Sequence, residues 1–462
     1  MESAKSIAQE LSEALTALEF HNLPDPVVEF SRVAFLDWIG AALAGSHEES
    51  VNILLQVIPP TSASGEATVL PAARKGLALF AALVNGAASH ATEMDDFHKT
   101  SMVHLGVTVI PAVLALAEKV RATGKEFITS LIVGFEAGIR VGEAVNPSHW
   151  EFWHPSGTCG TFAALAGCGR VLRLPPQEMA YGFGIAGTQA AGFRFYEGMN
   201  KHLHPGKAAM NGLLAALLAQ KGFTGDEHIF EGATGFCKAM ARDWNPDKFT
   251  AALPLIPGNF KSLGNSFKPH ASCRHTHPAI DAALKIVKNH SLQPDEVESI
   301  HCRTYSAATR LLNDPTVRDS FSAKFSLPFC LALAVKEKKV GLNSFSSSLL
   351  WDKEVRRLME RTRVEVDPAM EKMYPEKWPA EVEIVTGDGK SLKERVDYPQ
   401  GDPENPMSWA EMVEKYQELA SIGADEFAAK QILDKVMNLE DVPDMSTLFD
   451  GFLSKGDKNA GV

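Results

Sequence analysis

The stretch "HATEMDDFHKTSMVH", residues 90–104, carries three histidines, three carboxylates and a lysine. It lies between two apolar segments, "GLALFAALVNGAAS" and "VTVIPAVLALAEKV". A carboxylate beside an imidazole orients the ring and raises its pKa, which suits the pair to proton transfer. Glu93, Asp95 and Asp96 also crowd one another, and like charges at short range push one carboxyl toward its protonated form. An acid and a base can therefore arise in one pocket. Nine of the fifteen histidines fall in four short stretches: 90–104, His154, 202–204 and 270–277. Each stretch is a break between apolar helical segments, where a rigid scaffold presents functional side chains.

Three other chemistries compete for these residues. His202-x-His204 and His275-x-His277 would suit metal ligands on extended chain, with Asp95 and Asp96 adding carboxylates. There is no HExxH and no Cys/His zinc spacing, however. Lys99, Lys201 with Lys207, and Lys268 with Arg274 accompany three of the four clusters. A cation repels a metal ion and attracts a carboxylate, so the expectation is no metal, with a metal-dependent hydrolase as the rival. An anion site is the second possibility. Lys201, His202, His204 and Lys207 stand at the start of "GKAAMNGLLAALLAQ", where a helix N-terminus adds N–H groups and positive dipole. Lys268, His270 and Arg274 add donors, and Arg grips a carboxylate bidentately. A di- or tricarboxylate fits this company; a merely solvated helix start is the plainer reading. A nucleophile is the weakest case. Ser156 in "HPSGT" lacks a GxSxG elbow, and Cys273 in "SCRH" has only Arg274 and His275 beside it. No GxGxxG opens a βαβ unit and no GxxxxGK[ST] occurs, so nicotinamide and nucleotide chemistry have no support.

These residues need a scaffold, and the chain can build one. It has 462 residues, 45% hydrophobic and 22% charged, enough for a soluble protein of two or three domains with a real core. A net charge of −12 argues against nucleic acid or an anionic membrane as partner, while leaving room for a local basic pocket. The six cysteines form no CxxC pair and read as free thiols of a reducing compartment. The first twenty residues read as an amphipathic helix, neither signal nor transit peptide, and no apolar run of about 18 residues occurs; the expected location is cytoplasmic.

Up to about residue 260 the pattern is helical. "PDPVVEFSRVAFLDWIGAALAG" opens with Asp25 as cap and Pro26 in the first turn, and ends at Gly45. The following segments are rich in Ala and Gly on all faces, which lets helix backbones approach closely. The texture then changes. "VESIHCRTY" and "TRVEVD" read as strands, and "AEVEIVTGDGKSLKERVDYP" as a hairpin. "HPAIDAALKIVKNH" and "AKFSLPFCLALAVKEKK" read as helices between them. "PQGDPENPMS" reads as a linker, and the tail as amphipathic helix returning to the helical body.

Five segments then resemble the MmgE/PrpD family in order and spacing: "HATEMDDFHKTSMVH…VIPAVLALAE", "WHPSGTCGTFAALA", "MNKHLHPGKAAMNGLLAALLAQKGFTG", "SFKPHASCRHTHPAID" and "AKFSLPFCLALA". That family contains 2-methylcitrate dehydratase, cis-aconitate decarboxylase and iminodisuccinate epimerase. The resemblance implies a mainly α protein with an α+β lid: a discontinuous all-helical domain of residues 1–264 and 403–462, and a lid of residues 265–402. It implies a homodimer, a small anionic substrate, and no metal or organic cofactor. By resemblance His104 is a proton-transferring histidine, His154 a second pocket histidine, and Glu93 an acid at the pocket, with Asp95 beside it. Lys201 and Lys268 match lysines that hold substrate carboxylates, and Arg274 and His98 are further candidates for substrate contact. Two departures stand out. Phe97 replaces a Thr frequent in dehydratase and decarboxylase relatives, and Phe329 replaces a pocket tyrosine of the decarboxylase. Each removes a hydrogen-bonding group, and a site built around a substrate hydroxyl discriminates through such groups. The expected activity is a cofactor-independent lyase, 2-methylcitrate-dehydratase-like, with cis-aconitate-type decarboxylation or iminodisuccinate-type epimerisation as alternatives. A non-catalytic carboxylate-binding protein is the rival from another class.

Overall fold

The computed structural model describes residues 5–58, 65–194 and 198–456, the last three without their side chains. The chain divides into two compact units, Met1–Asn265 with Ser408–Val462, and Ser266–Met407. The fold is mainly α with a small α+β portion. Among the described residues no helix is long and apolar enough to cross a membrane.

The helices of ten residues or more in the first unit are α1 (Ile7–Thr16), α2 (Asp25–Ala44), α3 (Ala78–Ala91), α4 (Gly106–Val120), α5 (Gly124–Val145), α6 (Pro155–Val171), α7 (Pro176–Gly187) and α8 (Asn200–Gln220). After the second unit, which holds α9 (His277–His290) and α10 (Leu327–Glu337), the chain returns with α11 (Trp409–Gly423) and α12 (Glu426–Met437). The small residues do the work their frequency suggests. A Cβ on Gly206 of α8 would lie 2.2 Å from the Leu83 carbonyl oxygen, and one on Gly86 of α3 would lie 2.7 Å from Gly206 Cα. Two backbones cross there with no room for a side chain, which brings the ends of α3 and α8 together.

Three details differ from the sequence reading. Asp25 is the first helical residue of α2 rather than its cap; Pro24 holds the cap position in extended conformation. Helix α8 begins at Asn200, not at Gly206. Pro205 lies in the second turn of this helix, where it removes a single bond to the Lys201 carbonyl. Lys201, His202 and His204 are thus inside the helix. The first unit also contains a two-stranded ribbon, Ala67–Val69 with Arg74–Gly76, tied to α4 by Glu118, which accepts from the Thr68 amide at 2.8 Å.

In the second unit the strands are β1 (Val297–Thr304), β2 (Thr362–Val366), β3 (Ala380–Thr386) and β4 (Ser391–Val396), in the order β2-β1-β3-β4. The β1–β2 pair is parallel, and β1–β3 and β3–β4 are antiparallel. Ala380, Val382, Ile384 and Thr386 alternate with half-buried neighbours, as a strand with one core face requires.

Candidate active site

The site is built on the loop between α3 and α4. His90 is in the last turn of α3, and Gly106 opens α4. The chain between them turns sharply at Glu93, whose φ of 59° is left-handed. Asp96 fixes the far side. Its carboxylate accepts the Gly106 amide at 2.9 and 3.1 Å, at the positive end of α4, and the Asn265 side-chain amide at 2.9 Å. Lys415, from the returning helix α11, donates to the Met94 carbonyl at 2.7 Å and to Asp37 of α2. These ties bury Glu93, Met94, Asp95 and Asp96 of the loop and the two-residue strand Phe97–His98.

The functional side chains converge on Asp95. His90 Nδ1 is 2.8 Å from Asp95 Oδ2, and His104 Nδ1 is 2.7 Å from the same oxygen and 2.7 Å from the Asp96 carbonyl. Lys201 reaches in from the first turn of α8, paired with Glu93 and 3.0 Å from His90 Nε2. An ammonium only donates, so His90 Nε2 accepts and the His90 proton sits on Nδ1, toward Asp95. Burial, then the Lys201 charge, lowers the His90 pKa to about 3. The His90–Asp95 contact is therefore a hydrogen bond from a neutral ring, not an ion pair. The rings of His90 and His104 are 4.9 Å apart, those of His90 and His154 5.6 Å, and Phe97 stands 4.9 Å from His104. Asp96 is pushed up to about 7 by burial, then by Asp95 and Asp37.

One donor atom each from His90, Asp95 and His104 falls within 4.8 Å, close enough to hold a metal ion. Both imidazole Nδ1 atoms, however, already address one carboxylate oxygen, and the Lys201 ammonium occupies the other side of His90. Two hydrogen-bonded imidazoles with a lysine at hand are equipped to move a proton beside an anion.

The structure thus gathers His104, His154, Glu93, Asp95, Lys201 and Phe97 in the first unit. His98 is turned elsewhere: its Nδ1 is 2.9 Å from Ser101 Oγ and its Nε2 3.3 Å from the Lys261 carbonyl. That ring shapes the loop, and burial lowers its pKa to about 4. The anion cluster expected at 201–207 is dispersed around α8. His202 bonds Ser50 Oγ at 2.9 Å and Lys207 is exposed. Ser156 has a supporting part, its Oγ accepting the His104 amide at 3.0 Å. In the second unit, Arg274 is engaged with Asp402, the Gln400 carbonyl at 3.0 Å and His277 Nδ1 at 2.9 Å. Lys268 is buried, and Phe329 is fully buried with its ring 6.2 Å from Phe345.

Lys415 and Asp37 escaped the sequence reading. A signal existed: Lys415 falls on the buried stripe Met412–Tyr416–Leu419 of α11, where helical spacing predicts an apolar residue.

Residues 9–248 match the MmgE/PrpD N-terminal domain and residues 270–441 the MmgE/PrpD C-terminal domain. The chain belongs to the MmgE/PrpD family. Among curated relatives of this MmgE/PrpD protein, a cis-aconitate decarboxylase-like protein of Aspergillus oryzae is 28% identical, over 96% of each chain. A cis-aconitate decarboxylase of Aspergillus terreus is also 28% identical, over 97% of this chain and 96% of the relative. The cis-aconitate decarboxylase of Homo sapiens is 26% identical, over 96% and 94%.

Proposed function

We propose that this MmgE/PrpD protein is a lyase that removes carbon dioxide from a small unsaturated di- or tricarboxylate of the cis-aconitate kind, by acid–base chemistry of its own side chains. The observation that carries the reading is the Asp95 carboxylate shared by His90 and His104, with Lys201 adjoining. A lyase is the enzyme class that the family and the named relatives support. Those relatives also reverse the order expected from the sequence, where dehydration stood first.

In this chemistry the carboxylate on the carbon next to the double bond leaves as carbon dioxide. The pair from the broken C–C bond forms the new double bond, and the old π pair takes one proton at the far carbon. Protonated His104 gives that proton from Nε2 and regains one from solvent. The Asp95 carboxylate supports the imidazolium before the transfer, and Lys201 stabilises the negative charge that spreads onto a neighbouring carboxylate.

Phe97 offers the substrate no hydrogen bond in either reaction. A buried ring 4.9 Å from His104 keeps water from the departing carboxylate, whose charge disperses as carbon dioxide leaves.

Proton NMR in deuterated water with cis-aconitate and with 2-methylcitrate tests the reading. Expected are release of carbon dioxide from cis-aconitate and one deuterium in the product. Loss of water from 2-methylcitrate, with no carbon dioxide from either, overturns it in favour of a hydro-lyase.

A further inference from the structure

His154 and His104 are both histidines of one cluster, yet their rings are backed by different groups. His104 has the Asp95 carboxylate behind Nδ1. His154 has a second imidazole: its Nδ1 is 3.1 Å from Nδ1 of His204, one turn after Lys201 on α8. The slot that receives His204 admits little else. A Cβ on Gly157 of α6 would lie 3.2 Å from His204 Cβ, and a Cβ on Gly192, at a φ of 144°, 3.3 Å from its ring. The same turn fixes the His154 backbone, whose amide donates to the Gly192 carbonyl at 2.9 Å.

Two imidazoles that meet Nδ1 to Nδ1 share one proton, so one ring donates and the other accepts. Burial, then His90 and Lys201, holds the His154 pKa well below its ordinary value; burial, then Lys201 and Lys207, lowers that of His204. Both rings are neutral near pH 7. The direction of the shared bond then decides what His154 offers at Nε2. If His204 donates, the His154 proton is on Nε2 and the ring is a hydrogen-bond donor. If His154 donates, its Nε2 is a lone pair and the ring is a base.

We infer that His204 is a positioning residue that donates its Nδ1 proton to His154, so that His154 meets the substrate as a neutral Nε2–H donor. This rests on the reading of the substrate as a polycarboxylate: a lone pair aimed at a carboxylate repels it, and an N–H binds it. The two histidines then divide the labour. His104, backed by a carboxylate, moves the proton. His154, backed by an imidazole, stays neutral and stabilises oxygen charge that grows in the transition state, as a fixed donor in a dry site does.

Nitrogen-15 NMR of imidazole-labelled protein reads the tautomers without any substrate. Expected is His154 protonated on Nε2 in the wild type, with His204 protonated on Nδ1. His204→Gln keeps an amide donor and should preserve that tautomer. His204→Leu should lose it and lower kcat about 100-fold, the scale of one lost donor to a developing charge, with KM changed far less. Circular dichroism identifies a variant that has not folded, and the wild-type spectrum decides without it. His154 protonated on Nδ1 in the wild type overturns the inference, as does a folded His204→Leu with unchanged tautomer and kcat. Should the wild type act on no polycarboxylate, the functional reading falls, while the tautomers still report on His204.

Discussion

In the helical unit, His90, His104 and Lys201 turn toward one another around Glu93 and Asp95. In the smaller unit, His270, Arg274 and His277 turn into the chain that folds over them. His270 Nε2 bonds Asp281 Oδ1 at 2.8 Å, and Asp281 Oδ2 in turn accepts the Gln400 amide at 2.7 Å. Arg274 holds Asp402 and the Gln400 carbonyl. His275 lies flat on Trp378 at 4.1 Å, its Nδ1 2.7 Å from Tyr305 Oη. As strings the two clusters are alike in histidine, cation and apolar surroundings. They differ in their partners. The first makes bonds among side chains able to change protonation together. The second spends its donors on the turn at 400–402 and on an aromatic stack.

The largest break in that comparison is His104→Ala. Turnover should fall by about 10² to 10⁴, the usual worth of a general acid, with little change in KM. Steady-state kinetics with the substrate identified by NMR checks it, and near-wild-type turnover would dissolve the contrast. Arg274→Met should act on stability instead. It leaves Asp402 buried without its cation, at a cost of about 3–5 kcal/mol. A lower urea midpoint shows this. A many-fold rise in KM at unchanged stability would return Arg274 to the substrate.

His98 sharpens the boundary within the loop itself. Its folded pKa, about 4, is below the unfolded value of 6.5. Its contribution to stability is therefore present above about pH 6.5 and lost as the pH falls toward 4, because the unfolded ring binds the proton first. His98→Gln should flatten the decline of Tm with acid over that window and leave kcat much closer to wild type than His104→Ala does. A steeper decline, or a kcat as low as that of His104→Ala, contradicts the assignment. The smallest effect belongs to Lys207→Ala, on the exposed side of α8. Stability should stay within about 0.5 kcal/mol, with kcat and KM near wild type. A tenfold KM increase would revive the wider anion cluster at 201–207.

Much of this was legible because it depends on local pattern. The stretch 297–304 alternates as a strand must, and the Gly-Asp-Gly of residues 387–389 closes the β3–β4 hairpin. The Ala and Gly surfaces of α3, α6 and α8 announce close helix packing, and the family motifs single out Glu93, His104, His154 and Lys201. The helix start expected at Gly206 instead lies at Asn200 for an equally local reason, since a proline such as Pro205 looks the same in one dimension just before a helix and in its second turn.

What the chain's order of residues could not decide is which groups meet. Periodicity puts Lys415 on the buried stripe of α11, but only the packing of that helix on α2 carries its ammonium to Met94 and Asp37, 321 and 378 positions away. The pairing of His154 with His204, and of Lys201 with Glu93, likewise depends on how α6, α3 and α8 cross. Sequence by itself determined the helical class, the family and the reactive residue types, because hydrophobic period and motif spacing are local properties. Tertiary structure alone decided which carboxylate backs which imidazole, because hydrogen-bond partners and burial are set by segments that touch only after folding.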